Sequence, residues 1–158
     1  MNISVVCIGK IKENFFRDAL DEYSKRLSRF AKFEIIEVRD EKIPDNPSEK
    51  EISAILEKEG AAVMSKIPKN SRIIAMCIEG KELSSTAIAE KMREISMTSS
   101  HITFIIGGSL GLSDNVKSAA DIKLSFGKIT LPHQLMRVVL AEQIYRAFKI
   151  NSGESYHK

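Results

Sequence analysis

Short apolar runs alternate with longer amphipathic segments along the whole chain. Five runs of mainly β-branched and other apolar residues have the length and composition of buried strands. They cover residues 3–8, 33–38, 72–78, 102–106 and 122–126. The segments between the runs, and the one after the last run, repeat apolar residues at helical spacing. This order predicts an α/β fold with a parallel sheet covered by helices on both faces.

Capping and turn-forming residues predict where several of these elements begin and end. Ser48 and Glu51 have the spacing of a capping box, so a helix is predicted to start there. Gly80 is predicted to end the third strand. Pro132 suits the first position of the last helix, with Thr130 or Leu131 in the cap region, of which Thr is the better capper. The buried stripe of that helix is predicted at Leu135, Val138, Val139, Tyr145 and Phe148.

Composition and charge are those of an ordinary globular protein with one domain. The 158 residues are 43% hydrophobic and 28% charged, and no repeat or linker interrupts them. The net charge of +3 permits a polyanionic partner without demonstrating one. No apolar run approaches the ~20 residues that cross a bilayer, and no basic segment precedes the first run. We therefore expect one domain over residues 1–158, in the cytoplasm and without a membrane partner.

Neither metal nor redox chemistry is indicated by the sequence. Cys7 and Cys77 lie in separate apolar runs without CxxC spacing, so both are predicted to be buried, reduced thiols. No paired carboxylates, Ser/His/Asp set or metal-ligand spacing emerges. We therefore expect no metal site.

Two glycine-containing loops follow predicted strands and form the strongest candidate binding site. The first, residues 107–111, reads GGSLG and lacks the spacing of dinucleotide and phosphate-loop motifs. Its glycines suit either a tight turn or a close approach to a ligand. The second, residues 127–131, reads GKITL and offers backbone groups beside aliphatic side chains, a surface that suits an adenine ring. Lys128 is more simply explained as a solvated side chain. Both loops lie where open α/β sheets bind ligands.

The polar residues with the widest chemical range lie in the last part of the chain. His133 and Arg137 are four residues apart and share a helix face, although a structural role explains either of them as well. Tyr156, His157 and Lys158 combine a stacking ring, an imidazole and a cation, which suits a nucleobase and its phosphate. Fraying is the simpler expectation for the last residues of a chain.

Three stretches in the C-terminal half are distinctive when taken together: IIGGSLGL, LSFGKITLPHQLMRVVLAEQIYRAFKI and GESYHK. Two more lie near the N-terminus: VVCIGKIKENFFRDALDEYSKRL and IIEVRDEK. Together they resemble the ribosomal large-subunit pseudouridine methyltransferase H family of the SPOUT class. The resemblance implies a parallel-sheet SPOUT-type fold with a C-terminal deep trefoil knot, the knot and cofactor site lying within about residues 72–150. It implies S-adenosylmethionine-dependent N3-methylation of a pseudouridine in helix 69 of 23S rRNA, on assembled ribosomes. It also implies a homodimer that uses the last helix.

The resemblance also implies two sets of site residues. The cofactor-binding set is Met76, Gly107, Phe126, Gly127, Lys128, Ile129, Thr130 and Leu131. The set near the methyl donor and the nucleotide is His133, Arg137, Tyr156 and His157, without a defined general base.

Two functions are the alternatives to this methyltransferase activity. They are a non-catalytic RNA-binding α/β protein and a nucleotide-binding α/β enzyme with another substrate. The last helix is apolar on more than one face, which favours a dimer, through Leu135, Met136, Val139, Leu140 and Ile144.

Overall fold

The computed structural model describes residues 1–156, which form one parallel sheet flanked by helices. The strands are β1 (Asn2–Ile8), β2 (Lys32–Val38), β3 (Arg72–Glu82), β4 (His101–Ile106) and β5 (Ile122–Ser125). The helices are α1 (Asn14–Leu27), α2 (Glu49–Met64), α3 (Ser85–Ser96), α4 (Asp114–Ala119) and α5 (His133–Asn151). The strand order is β2-β1-β4-β3-β5, and all pairs are parallel. The predicted α/β fold with a parallel sheet is confirmed.

Helices cover both faces of the sheet. On one face, Leu140 and Ile144 of α5 join residues of α1 and α3 in a cluster around Phe104. On the other face, Val63 of α2 and Val116 of α4 pack with residues of β1, β3 and β4. Burial on both faces explains why the strands read as continuous apolar runs rather than alternating patterns. No helix within residues 1–156 combines the length and apolarity needed to span a membrane.

The start of α2 confirms the capping box predicted from sequence. The Ser48 hydroxyl accepts a hydrogen bond from the Glu51 backbone N–H at 3.2 Å, and the Glu51 carboxylate accepts one from the Ser48 N–H at 2.7 Å. The bond from the Ser48 backbone N–H is the first cause that lowers the pKa of Glu51, because it favours the charged carboxylate. The two residues thus satisfy N–H groups that the first turn of the helix leaves free.

The predicted end of the third strand at Gly80 is wrong. β3 continues to Glu82, and both Met76 and Lys81 pair with the same residue of β5, Leu124. Between these two pairings the backbone of Gly80 lies directly against β5. A Cβ on Gly80 would be 2.7 Å from backbone atoms of Leu124. Gly80 is therefore needed for the close approach of two backbones and does not terminate the strand.

The start and the buried face of α5 also differ from the prediction. Pro132 is the N-cap residue rather than the first helical residue, and its carbonyl accepts from the Met136 N–H at 2.9 Å. Thr130 therefore does not cap the helix. The predicted stripe residues Leu135, Val138, Val139, Tyr145 and Phe148 are only half-buried. The buried residues of α5 are instead Arg137, Leu140, Ala141, Ile144, Ala147 and Lys149. Since α5 contacts both α1 and α3, it buries more of its circumference than one stripe.

Candidate active site

A cavity of about 390 Å³ opens at the carboxyl ends of β3, β4 and β5, and we call it the loop cavity. Residues 76–79 of β3 form one wall. The glycine turn after β4, residues 107–111, and most of the segment after β5, residues 126–131, form the others. The two loops singled out in the sequence therefore line one cavity. Its position is the usual place for a ligand in an open parallel sheet.

The loop cavity gathers seven of the eight residues expected to bind the cofactor. They are Met76, Gly107, Phe126, Gly127, Ile129, Thr130 and Leu131. Lys128 is exposed and does not line the cavity, which agrees with its explanation as a solvated side chain. Residues from β3, from the turn after β4 and from the loop after β5 thus meet around one space.

In the glycine turn the backbones of Gly107 and Gly111 are in close contact, so Gly107 has a structural role in the turn. A Cβ on Gly107 would lie 2.6 Å from the backbone carbonyl of Gly111. Gly111 has a φ of 81°, and its N–H donates to the Gly108 carbonyl at 3.0 Å. A valine at position 107 would therefore displace the backbone of the turn before it narrowed the cavity.

The loop after β5 presents a glycine with positive φ and an exposed aliphatic side chain. Gly127 has a φ of 113°, a conformation that favours glycine. The Ser125 hydroxyl donates to the Gly127 carbonyl at 3.1 Å and accepts from the Gly127 N–H at 3.2 Å, which fixes the turn. Ile129 is 71% exposed although it lines the loop cavity, so its apolar surface is available to a ligand.

His133 is the polar residue that α5 contributes to the loop cavity. It is half-buried at the first position of the helix. Its Nε2, the Arg137 Nη2 and the Asp40 Cγ all lie within 3.9 Å of the point where a Cβ on Gly9 would stand. Burial, and then the charge of Arg137, lower the pKa of His133 from its ordinary value of 6.5, while Asp40 opposes them. His133 is therefore neutral at pH 7 and able to accept a proton.

Arg137 points to the end of β1 and does not line the loop cavity. Its Nη2 donates to the carbonyls of Ile8 at 3.0 Å and Gly9 at 2.8 Å, and its Nη1 donates to Glu37 at 3.1 Å. The residue is 1% exposed, and within the described residues its Nε has no hydrogen-bond partner. These contacts fix the start of α5 against β1. A direct role of Arg137 toward the nucleotide stays a prediction.

Tyr156 is packed against α5 rather than frayed. Its ring meets that of Tyr145 edge-on at 5.0 Å, and the Arg146 guanidinium lies 4.7 Å from its centroid. Its hydroxyl donates to Glu142 at 3.2 Å, and burial is the first cause that raises its pKa to about 12. Tyr156 does not line the loop cavity. His157 and Lys158 lie outside the described residues.

The sequence did not point to an ion pair and a thiol at the rim of the loop cavity. Lys117 of α4 and Glu79 of β3 form a close ion pair there, which raises the pKa of the lysine and lowers that of the carboxyl. Cys77, expected in the core, is half-buried and lines the cavity. Only tertiary contact brings α4 beside β3, so no local signal in the sequence indicates this ion pair.

Residues 1–156 contain no group of three or more His, Cys, Asp or Glu able to hold a metal.

The fold and the loop cavity define a class of protein that comparison with known families identifies. Residues 1–157 match the family described as "Predicted SPOUT methyltransferase", and the chain belongs to this family. It is 54% identical to ribosomal RNA large subunit methyltransferase H of Clostridioides difficile strain 630 and 52% identical to that of Clostridium novyi strain NT. Each alignment covers 100% of both chains.

A solved structure supports the fold independently. It is described as a probable methylase family protein from Haemophilus influenzae Rd KW20. The similarity covers 99% of this chain and 70% of that one, with a TM-score of 0.57 and 13% sequence identity. At this identity the likeness shows the shared fold alone.

Proposed function

We propose that this protein uses S-adenosylmethionine to methylate N3 of a pseudouridine in helix 69 of 23S rRNA, on assembled ribosomes in the cytoplasm. The observation that carries the proposal is the loop cavity, where seven of the eight expected cofactor residues meet. The family described above transfers methyl groups, and the relatives' names support the large ribosomal subunit as the source of the substrate.

The residues of the loop cavity fit S-adenosylmethionine. Met76, Ile129 and Leu131 supply apolar surface for the faces of an adenine ring, and the backbone of residues 126–131 supplies groups for its edge. The sulfonium of the bound cofactor supplies an already activated methyl group. The protein must then hold N3 in line with the methyl carbon and the sulfur. It must also accept the N3 proton.

His133 is the residue to which we assign acceptance of the N3 proton. It alone of the described residues expected near the nucleotide lines the loop cavity. Its lowered pKa keeps the imidazole neutral at physiological pH, the state that a general base requires. Arg137, one turn further along α5, positions this start of the helix through its bonds to β1.

Replacing His133 with asparagine is expected to lower methyl transfer about 10²-fold or more, the usual contribution of a positioned acid or base. The wild-type rate should fall as the pH drops below the lowered pKa of His133, since protonation removes the acceptor. Single-turnover rates against pH measure both effects. His101→Asn is the matched control, because His101 also has a lowered pKa but lies at the amino end of β4, bonded to Ser4. A His133→Asn profile that keeps the wild-type acid limb would contradict the assignment.

We also propose that the chain is a single SPOUT domain over residues 1–158 with a C-terminal trefoil knot. The knot and cofactor site would lie within about residues 72–150. The double pairing of Leu124 with Met76 and Lys81 supports this proposal, because the register of β3 against β5 shifts between the two pairings. Gly80 lies at this shift, directly against the backbone of Leu124.

A homodimer through α5 is the assembly that we propose, although the residues available for it are fewer than the sequence indicates. Leu140 and Ile144 are 1% and 0% exposed within one chain, so they serve its own core. Leu135 and Val139 are half-buried and remain available to a second copy, whereas Met136, also half-buried, lines the loop cavity. Light scattering should give twice the 17.7 kDa of one chain, and Val139→Glu should shift the mass toward the monomer. A wild-type protein that is monomeric and active at micromolar concentration would refute the dimer.

The decisive test of the activity is mass spectrometry of 23S rRNA from a strain that lacks this protein. Loss of the N3 methyl group in helix 69, and its return when the purified protein and S-adenosylmethionine are added to those ribosomes, is the expected result. Calorimetry distinguishes the alternatives. An RNA-binding protein without catalysis would not bind S-adenosylmethionine, and an enzyme with another substrate would leave the ribosomes unmethylated.

A further inference from the structure

A second depression of about 350 Å³ lies where the register of β3 against β5 shifts, and we call it the β5 groove. Its walls come from residues 79–81 and Leu83 beside β5, from residues 121–123 at the start of β5, and from Lys91 of α3. Glu79 also lines the loop cavity. The β5 groove and the loop cavity therefore adjoin each other at one residue.

Two lysines of the β5 groove form no ion pair within residues 1–156, although the charge of Lys123 contributes to the lowered pKa of Glu79. Its two carboxylates have basic partners of their own: Glu79 pairs with Lys117, and Asp121 pairs with Arg72 at 2.9 Å. Of its three lysines, Lys91 pairs with Glu94 at 2.6 Å. Lys81 and Lys123 are exposed and make no ion pair with any residue in the range 1–156.

We propose that the β5 groove binds the sugar-phosphate backbone of the RNA substrate beside the target nucleotide, a step that rests on the function proposed above. Lys81 pairs with Leu124, the neighbour of Lys123, so the two free cations lie on adjacent strands. Phosphate contacts of this kind fix the position of an RNA chain without reading its sequence. A flipped base can enter the loop cavity only if the backbone that carries it is held close by.

Charge removal from the groove tests this proposal. The double variant Lys81→Gln/Lys123→Gln is compared with Lys66→Gln/Lys69→Gln. The control removes the same charge from two exposed lysines in the segment between α2 and β3, neither of which lines the groove. We expect the groove variant to raise the KM for ribosomes about tenfold or more at ~0.1 M salt, with kcat and S-adenosylmethionine affinity unchanged. For the groove variant, the slope of log(1/KM) for ribosomes against the log of the salt concentration should become less negative by about 1.4. Each single-stranded phosphate contact contributes ~0.7 to this slope, and two contacts are removed.

Two measurements keep the proposal separable from the proposed activity. A groove variant whose KM and salt dependence equal those of the control overturns the role of the groove, while the methyltransferase activity stands. If the wild-type protein transfers no methyl group, co-sedimentation with ribosomes over the same salt range decides. If less of the groove variant than of the control sediments with ribosomes, the groove binds RNA even though the proposed activity has failed. Equal sedimentation of both variants overturns the role of the groove.

Discussion

Replacing Arg137 with methionine is expected to lower the free energy of unfolding by about 3–5 kcal/mol. Its guanidinium donates to two backbone carbonyls and to Glu37, and its side chain is fully buried, whereas that of Glu37 is 31% exposed. Hydrogen bonds to charged groups contribute about 1.5–3 kcal/mol each, and three on one residue do not add fully. Methionine fills a similar volume but leaves the carbonyls of Ile8 and Gly9 without this donor.

Urea unfolding followed by circular dichroism measures this loss. Arg93→Met is the matched control, because Arg93 on α3 is 57% exposed and, within residues 1–156, pairs only with Glu90, also 57% exposed. Exposed pairs of this kind contribute about 0–1 kcal/mol. We therefore expect the control to unfold near the wild-type midpoint and Arg137→Met well below it. Equal midpoints for the two variants would show that the contacts of Arg137 with β1 do not stabilise the fold.

Features that depend on neighbouring residues could be predicted from the sequence. The capping box at Ser48 and Glu51 involves atoms three residues apart, and the structure contains both of its hydrogen bonds. The strands were recognisable because burial on both faces makes each of them a continuous apolar run. The glycine-containing loops were predictable as a site because each directly follows such a run, at the sheet edge where ligands bind.

Features that depend on residues far apart in sequence could not be predicted in this way. Gly80 resembles a strand terminator, yet it is glycine because the backbone of Leu124 passes beside it. Arg137 resembles a site residue, but it bonds to Ile8, 129 positions earlier. The face of α5 was predicted as one stripe, since helical periodicity does not reveal that the helix contacts both α1 and α3.

Replacing Tyr156 with alanine is expected to lower methyl transfer to ribosomes by about 10–100-fold if its ring stacks on the target base. Such a contact contributes about 1–3 kcal/mol, and each ~1.4 kcal/mol is tenfold in rate. Tyr156 also packs on Tyr145 and beneath Arg146, rather than fraying as the sequence led us to expect. An aromatic pair contributes about 0.5–1.5 kcal/mol, so the variant should also melt a few degrees lower.

Stability and activity separate when Tyr156→Ala is compared with Tyr156→Phe. Phenylalanine keeps the ring that stacks but loses the hydroxyl that donates to Glu142 at 3.2 Å, so it should retain most of the activity. Both variants should bind S-adenosylmethionine normally, because Tyr156 does not line the loop cavity.

Tyr156 contacts Glu142, which lies nine residues along α5 from His133. This separation is about 14 Å at 1.5 Å per residue. Stacking on the target base therefore requires Tyr156 to leave this packing or to serve a second chain. Methyl transfer that stays near the wild-type rate in Tyr156→Ala would show that Tyr156 only packs against α5, and it would leave His133 as the described polar residue nearest the chemistry.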